Sequence, residues 1–372
     1  MREIGVGIIG TGFMGRAHGL AYRAVAGIFP VGLKPVLETV ADNNKEAGER
    51  ACGQLGFKRF TQDWRELVED PRVEIVSITT PNPVHKEMAL AAIKAGKHVH
   101  CEKPIAPNGD DAREMTEAAE KAKIVTQVGY NYIKNPLIGL ARQMIVAGEL
   151  GEITSFRGIH AEDYMGSPDV PHNWRIDPEG GGGVIADLGS HIIGMARFLL
   201  GPISEVSADI ETVIKERPVA AGAKEMRKVV VDDIARLIMR FARGCGGTIE
   251  ANWVATGRKM QLAFEITGSR GALAFTQERL NELLHFKPGE NGREGFTRIE
   301  AGPPHYPYGL FCVAPGHQLG FNDLKTIEVA DFLEAIDGRE PKGPDFREAW
   351  EIQKVIDTAI RSGRERRWLS VP

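Results

Sequence analysis

Ile4-Gly5-Val6-Gly7-Ile8-Ile9-Gly10-Thr11-Gly12-Phe13-Met14-Gly15 is an apolar strand that runs straight into a Gly-x-Gly-x-x-Gly turn, and a helical pattern, Phe13–Val25, opens on that turn. In such a turn the first glycine permits the tight bend and the second lets a pyrophosphate approach the backbone. The third lets helix and strand pack closely, and the helix N-terminus then faces the phosphates. A glycine turn alone is also an ordinary structural device. Its place after the first strand of a β-α-β pattern is what makes Gly10, Thr11, Gly12, Phe13, Met14 and Gly15 candidate dinucleotide contacts.

The pattern continues outward from there. Ile4–Ile9, Val36–Ala41, Ile75–Thr79, His98–Cys101 and Ile124–Val128 read as strands, with Phe57–Phe60 a further short one. Phe13–Val25, Lys45–Leu55, Pro83–Ala95 and Asp110–Lys123 read as helices. Continuous apolar strands alternating with helices predict a doubly wound parallel sheet covered on both faces. Beyond Tyr130 the rhythm changes. Helices at Pro136–Ala147 and Ala186–Leu200 accompany alternating runs at Ile153–Ala161, Glu205–Ile214, Asp233–Phe241, Thr248–Val254, Gln261–Gly268, Ala272–Phe275 and Glu282–Phe286. This predicts an α+β domain with a large, open, mostly antiparallel sheet. The expected division is a Rossmann domain over 1–128 and a second domain over 129–372. Lys325–Asp337 and Phe346–Ser362 are helical again and are candidates to return to the first domain. Glu290–Asn322 reads as a long surface loop.

Composition narrows the class. The 372 residues are 42% apolar and 26% charged, the balance of an ordinary globular protein too long for one core. A formal net charge of −4 supplies no basic field for a phosphate backbone, so nucleic acid is not an expected partner. No apolar run is long enough to cross a bilayer. Met1-Arg2-Glu3 leads into a strand without the features of a signal peptide, so the cytoplasm is the expected compartment. Cys52, Cys101, Cys245 and Cys312 form no C-x-x-C pair and are expected as free thiols.

Cofactor choice turns on Asp42, which ends the second strand. A carboxylate there accepts hydrogen bonds from ribose hydroxyls and repels a 2′-phosphate, which favours NAD over NADP. Its distance from the glycines exceeds the usual spacing of about twenty residues, an excess that the Gly27–Pro35 connector absorbs. The same position also suits a helix N-cap. Thr79, Thr80 and Asn82 at the end of the fourth strand, with His85 just beyond, are expected to face the cofactor, since ligands lie outside the carboxyl ends of such strands. Pro83 there is equally a choice for a helix start.

Two further groups carry chemistry. Glu102-Lys103-Pro104 follows the strand His98–Cys101, and Asp187-Leu188-Gly189-Ser190-His191 follows the glycine run Gly180–Gly183. Oxidising a secondary alcohol needs a base near the hydroxyl and a donor for the alkoxide-like oxygen. His191 suits the base, with an ordinary pKa of about 6.5, and Lys103 suits the donor. On a helix, the four-residue spacing sets Asp187 and His191 on one face, where the aspartate orients the imidazole or binds a substrate hydroxyl. The plainer alternatives are a solvated lysine, a helix-start aspartate and a core histidine. Glu102 either anchors Lys103 or contacts the nicotinamide ribose. Tyr164, His172, Asn173, Trp174 and Arg175 form a polar set with an aromatic face, suited to a polyol ring or to an ordinary loop. No metal is expected, because Asp187 and His191 lack a third ligand at a recognisable spacing.

As an ordered set, Gly10–Gly15, Thr80-Pro81-Asn82, Glu102-Lys103-Pro104, Val128-Gly129-Tyr130-Asn131-Tyr132 and Gly180–Gly183 with Asp187-x-x-x-His191 resembles the Gfo/Idh/MocA family over essentially the whole chain. Asn173-Trp174-Arg175 and Val128–Tyr132 narrow the likeness to sugar and cyclitol dehydrogenases of the scyllo-inositol, L-glucose and levoglucosan type. The resemblance implies a Rossmann domain followed by an open sheet, and catalytic roles for Lys103 and His191. It also implies a nicotinamide-side role for Asn131, whose alternative is a turn residue, and association as a homodimer or homotetramer through the C-terminal sheet. The expected function is therefore an NAD-dependent dehydrogenase of a sugar or cyclitol. A glycosidase acting by transient oxidation and a non-catalytic dinucleotide sensor are the alternatives.

Overall fold

The structure is a computed structural model that describes all residues except Pro178, Gly181, Glu290, Asn291 and Arg293. The chain forms two compact units. One comprises Met1–Lys134 and Gly320–Trp350, the other Asn135–Leu319 and Glu351–Pro372. The sequence reading divides the chain at 128/129. The structure keeps residues up to Lys134 in the first unit and returns Gly320–Trp350 to it.

In the first unit, β1 (Arg2–Ile9), β2 (Leu33–Ala41), β3 (Arg59–Thr61), β4 (Ile75–Ile78), β5 (His98–Cys101) and β6 (Thr126–Val128) make one parallel sheet in the order β3-β2-β1-β4-β5-β6. Strand order reverses between β1 and β4, the place where a ligand crevice opens in a doubly wound sheet. The last six residues of β1 are all buried, as expected for a strand covered on both faces. The connecting helices are α1 (Phe13–Ile28), α2 (Lys45–Leu55), α3 (Trp64–Glu69), α4 (His85–Lys94) and α5 (Gly109–Ala122). Only α3 has no counterpart in the sequence reading, because six residues are too short for periodicity to register. The helix Phe321–Ile336 packs against α1 in this unit, which is the physical reason the C-terminal segment belongs here.

The second unit holds a nine-stranded sheet. Its strands are β7 (Ile153–Ala161), β8 (Ile203–Glu211), β11 (Ile234–Phe241), β12 (Gly246–Asn252), β13 (Gln261–Gly268), β14 (Ala272–Thr276), β15 (Glu282–Phe286), β16 (Phe296–Glu300) and β17 (Leu369–Ser370). The hairpin of β9 (Glu216–Pro218) and β10 (Met226–Lys228) stands apart from it. The order is β16-β15-β14-β13-β7-β12-β11-β8-β17, and among these pairs only β7 with β12 is parallel. Along β11, Ala235, Leu237, Met239 and Phe241 are buried while Arg236, Ile238 and Arg240 are exposed, so one face is covered and the other open. The expected loop over 290–322 is in part regular. β16 pairs with β15, and a one-turn helix spans Tyr308–Phe311. Turn residues on both sides of these short pieces had masked them.

Candidate active site

In the first unit the glycine turn is shaped by what a side chain would meet. Gly10 has φ 96°, and a Cβ there would lie 2.9 Å from the Thr79 carbonyl oxygen. A Cβ on Gly15 would lie 2.1 Å from the Gly10 oxygen, whereas one on Gly12 would meet nothing within 4 Å. Gly10 and Gly15 thus serve the turn's own packing. Gly12 keeps clear the space before α1, where free N–H groups and the helix dipole favour an anion. The Thr79 hydroxyl donates to the Ile9 and Gly10 carbonyls, both at 2.9 Å, and ties β4 to the turn. Met14 is half-buried, and Phe13 is 72% exposed with its ring 5.3 Å from that of Phe321.

Asp42 faces the turn. Its Oδ2 accepts from the Thr11 N–H at 2.8 Å and the Thr11 hydroxyl at 2.6 Å, and its Oδ1 accepts from the Asn44 N–H at 2.9 Å. The N-cap of α2 is Asn44, whose Oδ1 accepts from the Ala47 N–H, so capping is not the task of Asp42. Asn131 is 2% exposed, and its amide nitrogen has no hydrogen-bond partner among the described residues. A buried donor left unpaired costs about 1–3 kcal/mol, so this one suits a polar group brought by a ligand. An open cradle, a carboxylate beside it and an unpaired buried donor together fit a dinucleotide.

Two residues expected at the cofactor are buried. His85 is fully buried, with one ring nitrogen 2.9 Å from the Thr80 carbonyl oxygen and the other 3.1 Å from that of Pro104. Both nitrogens are committed to backbone, so the ring braces the Thr79–Asn82 loop against the Lys103–Pro104 loop. Burial holds this imidazole below its ordinary pKa. Asn82 is buried within a one-turn helix, and the Thr80 hydroxyl contacts the Met88 sulfur at 3.7 Å. Glu102 is 5% exposed. Its Oε1 accepts from His18 Nε2 at 2.9 Å and from Lys325 Nζ at 3.0 Å, and its Oε2 accepts from the Lys103 N–H at 3.2 Å. Of the two roles open to it, the geometry favours anchoring the half-buried Lys103. Burial pushes the Glu102 carboxyl up, but Lys325 and the His18 hydrogen bond outweigh this and hold it well below the carboxylate range.

In the second unit the expected single helix Ala186–Leu200 begins differently. Ile185–Gly189 is a π-helical turn, and the α-helix runs over Ser190–Leu200. π turns concentrate at functional sites, and here the turn carries Asp187 into the helix that begins beside His191. Asp232 ties its start, since Asp232 Oδ2 accepts the Ile185 N–H at 2.8 Å. Burial pushes the Asp232 carboxyl up to about 7. In the glycine run, Gly182 and Gly183 have φ 71° and 75°, whereas Gly181 lies outside the described residues.

Two candidates converge on one atom of a third. Asp187 Oδ2 accepts from the Tyr164 hydroxyl at 2.6 Å and from Arg175 Nε at 3.2 Å. Burial and the Asp187 charge raise the Tyr164 phenol well above its ordinary value, which keeps it a donor. The Arg175 guanidinium also lies 4.4 Å over the Trp174 ring. His191 is 8% exposed, with its ring 5.5 Å from that of His160. His160, which the sequence reading passed over, sits with Nδ1 2.9 Å from the Leu188 carbonyl and Nε2 3.1 Å from Glu162 Oε1. A histidine in an alternating strand gives no signal of this. Asn173, expected at the substrate, bonds to the backbone in this structure. Its Oδ1 caps the turn Trp174–Ile176 through the Arg175 N–H, and its Nδ2 donates to the Pro171 carbonyl. The His172 backbone donates to Pro218, and partial burial and Arg227 lower its imidazole pKa.

Residues 4–130 match the model of the oxidoreductase family with the NAD-binding Rossmann fold, and residues 138–274 match the GFO/IDH/MocA C-terminal domain. The whole chain is 37% identical to levoglucosan dehydrogenase of Pseudarthrobacter phenanthrenivorans, 99% of which is covered. The chain belongs to the Gfo/Idh/MocA family. It is an oxidoreductase with an NAD-binding Rossmann domain, as the sequence predicted. Another relative is glucose-6-phosphate 3-dehydrogenase of Bacillus subtilis, 31% identical over 95% of this chain and 94% of the relative. A solved levoglucosan dehydrogenase in complex with NADH and L-sorbose superposes with TM-score 0.96 at 38% identity, with all of both chains covered.

Proposed function

We propose that this protein is an NAD-dependent dehydrogenase that oxidises a secondary hydroxyl of a sugar or cyclitol. The observation that carries the reading is the convergence of Tyr164 and Arg175 on Asp187 Oδ2, on the π turn that leads into His191. That arrangement presents a phenol, a guanidinium and a carboxylate beside an imidazole, the polar groups a polyol ring requires. The relatives named for levoglucosan and glucose 6-phosphate support a carbohydrate substrate.

NAD, when bound, accepts the hydride. This chain's own residues bind and move the proton. His191 takes the hydroxyl proton, and Asp187 holds a neighbouring hydroxyl together with Tyr164 and Arg175. Lys103 donates to the reacting oxygen and stabilises its alkoxide-like charge. Gly10–Gly15, Thr79, Asp42 and Asn131 hold the cofactor, with His85 and Glu102 bracing the loops around it.

The test is NADH absorbance with NAD and a panel of inositols, pyranoses and anhydrosugars. Turnover of one of these polyols is the expected result, with Lys103→Ala and His191→Ala each slowing it by about 10²–10⁴-fold while NADH binding by fluorescence is retained. Full activity in both variants sinks the assignment. Glycoside cleavage without net NADH would replace the dehydrogenase by a glycosidase.

A further inference from the structure

Behind Lys103 lies a polar cluster confined to the first unit. His18, His100, Lys325 and Glu328 are each 0% exposed. Lys325 Nζ donates to Glu102 Oε1 at 3.0 Å and to Glu328 Oε1 at 2.6 Å. His18 Nε2 lies 2.9 Å from Glu102 Oε1, with Ser77 Oγ 2.7 Å from its Nδ1. His100 Nε2 lies 2.9 Å from Glu328 Oε1, with the Tyr22 hydroxyl 3.1 Å from its Nδ1. Each Nε2 faces a carboxylate and each Nδ1 a hydroxyl, and burial lowers both imidazoles, so the rings are neutral, donating through Nε2 and accepting through Nδ1.

Ligand atoms of His18, His100 and Glu328 lie within 4.8 Å of one another, the spacing of a cation site. The site already has its cation, because the Lys325 ammonium bridges the two carboxylates. Two anions and one cation leave the cluster one negative charge in excess, and Glu328 Oε2 has no hydrogen-bond partner among the described residues. Such a grouping is poor value as a stabiliser, since a buried ion pair seldom outperforms apolar packing. Its geometry points to another use. The link from the cluster to the reactive lysine runs through Glu102, whose Oε2 receives the Lys103 N–H. The chain at Gly129 closes against this carboxylate, since a Cβ there would fall 2.4 Å from Glu102 Oε1.

We propose that Lys325 is a positioning residue for Lys103. From the helix Phe321–Ile336 its ammonium fixes the Glu102 carboxylate, which in turn fixes the backbone that presents the Lys103 side chain. The effect on turnover rests on the dehydrogenase reading; the effect on Lys103 itself does not.

The experiment compares the full chain with Lys325→Met and with the double variant Lys325→Met/Glu328→Gln, which removes one anion together with the cation. Lys103 is labelled with limiting acetic anhydride and quantified by peptide mass spectrometry, with exposed Lys45 as internal reference. In Lys325→Met the Lys103 labelling rate is expected to change by about threefold or more. Turnover is expected to fall by about 10–100-fold, with NADH affinity retained. In the double variant Tm recovers but labelling and turnover do not, which separates positioning from charge balance and keeps the test alive if the single variant fails to fold. Unchanged Lys103 labelling in either folded variant overturns the proposal, as does recovery of turnover together with Tm. A wild-type chain silent on every polyol, whose Lys103 labelling still responds to Lys325→Met, refutes the dehydrogenase reading and leaves Lys325 in its role. Active wild type with unresponsive labelling does the reverse.

Discussion

Glu102 and Asp187 are both carboxylates with two side-chain donors on a single oxygen, yet they are built for different work. The donors to Glu102, His18 and Lys325, are wholly buried, and its other oxygen is spent on the Lys103 N–H. The donors to Asp187 reach solvent, with Tyr164 39% exposed and the Arg175 side chain 39% exposed. Exchanging a buried partner leaves a charge uncompensated in low dielectric, whereas water can replace an exposed one at little cost. The first carboxylate is therefore a fixed brace, and the second can trade its donors for a ligand's hydroxyls. Burial of the partners, more than their number, separates scaffold from recognition.

The contrast can be broken by paired substitutions. Glu102→Gln is expected to cost about 3–5 kcal/mol of stability, measured by urea unfolding, because the buried Lys325 ammonium loses a carboxylate counter-charge. Asp187→Asn is expected to leave the unfolding midpoint nearly unchanged and to slow turnover by about 100-fold. If instead Asp187→Asn unfolds the protein and Glu102→Gln leaves it as stable as wild type, the division into brace and recognition group is wrong.

Acid sharpens the comparison, because buried titrating groups of the two units, His18 and Asp232, respond with opposite sign. In the first unit burial, Lys325 and His100 hold His18 down to about 3, and burial lowers His85 and His100. Below about pH 6.5 the unfolded chain binds protons that the folded one refuses, so this unit loses stability on acidification, by about 2 kcal/mol for His18 alone between pH 6.5 and 5. In the second unit Asp232, raised to about 7, is protonated in the folded state first. Its contribution is fully present below the unfolded value of about 3.8 and is lost as pH rises through about 7, so acidification from neutrality favours this unit. Hydrogen exchange at pH 7 and pH 5, corrected for intrinsic rates and read peptide by peptide, checks both signs. Equal loss of protection in the two units would contradict them.

The smallest effects concern the polar set near Asp187. Tyr164→Phe removes one donor from a charged acceptor and is expected to raise KM for the polyol by about tenfold, equivalent to about 1.4 kcal/mol, with Tm unchanged. Asn173→Ala removes a cap and is expected to cost about 1 kcal/mol of stability while KM stays as in wild type. A rise in KM without loss of stability would return Asn173 to the substrate side.

Local chemistry made the fold legible in the sequence. The glycine turn after β1, the apolar parallel strands and the period-two runs of the second sheet each depend on neighbours in the chain, and both sheets follow from them. The π turn at Ile185–Gly189 escaped because its hydrophobic pattern differs from that of an α-helix by a single residue. The one-turn and three-residue elements escaped because they are shorter than any period. Among candidate residues, Lys103, Asp187, Tyr164 and Arg175 stand out as polar side chains in motifs. His85 and Asn173 look alike in sequence, and what their side chains meet in the structure is backbone.

By itself the sequence determined a dinucleotide turn, a carboxylate to meet it, and the residue types that oxidise an alcohol, since these lie in runs of a few residues whose spacing carries the chemistry. Only the tertiary structure decided which carboxylate is sealed and which stays open. Glu102 meets Lys325 across more than two hundred positions of chain, and burial at such a meeting is a property of the folded core that no local pattern encodes.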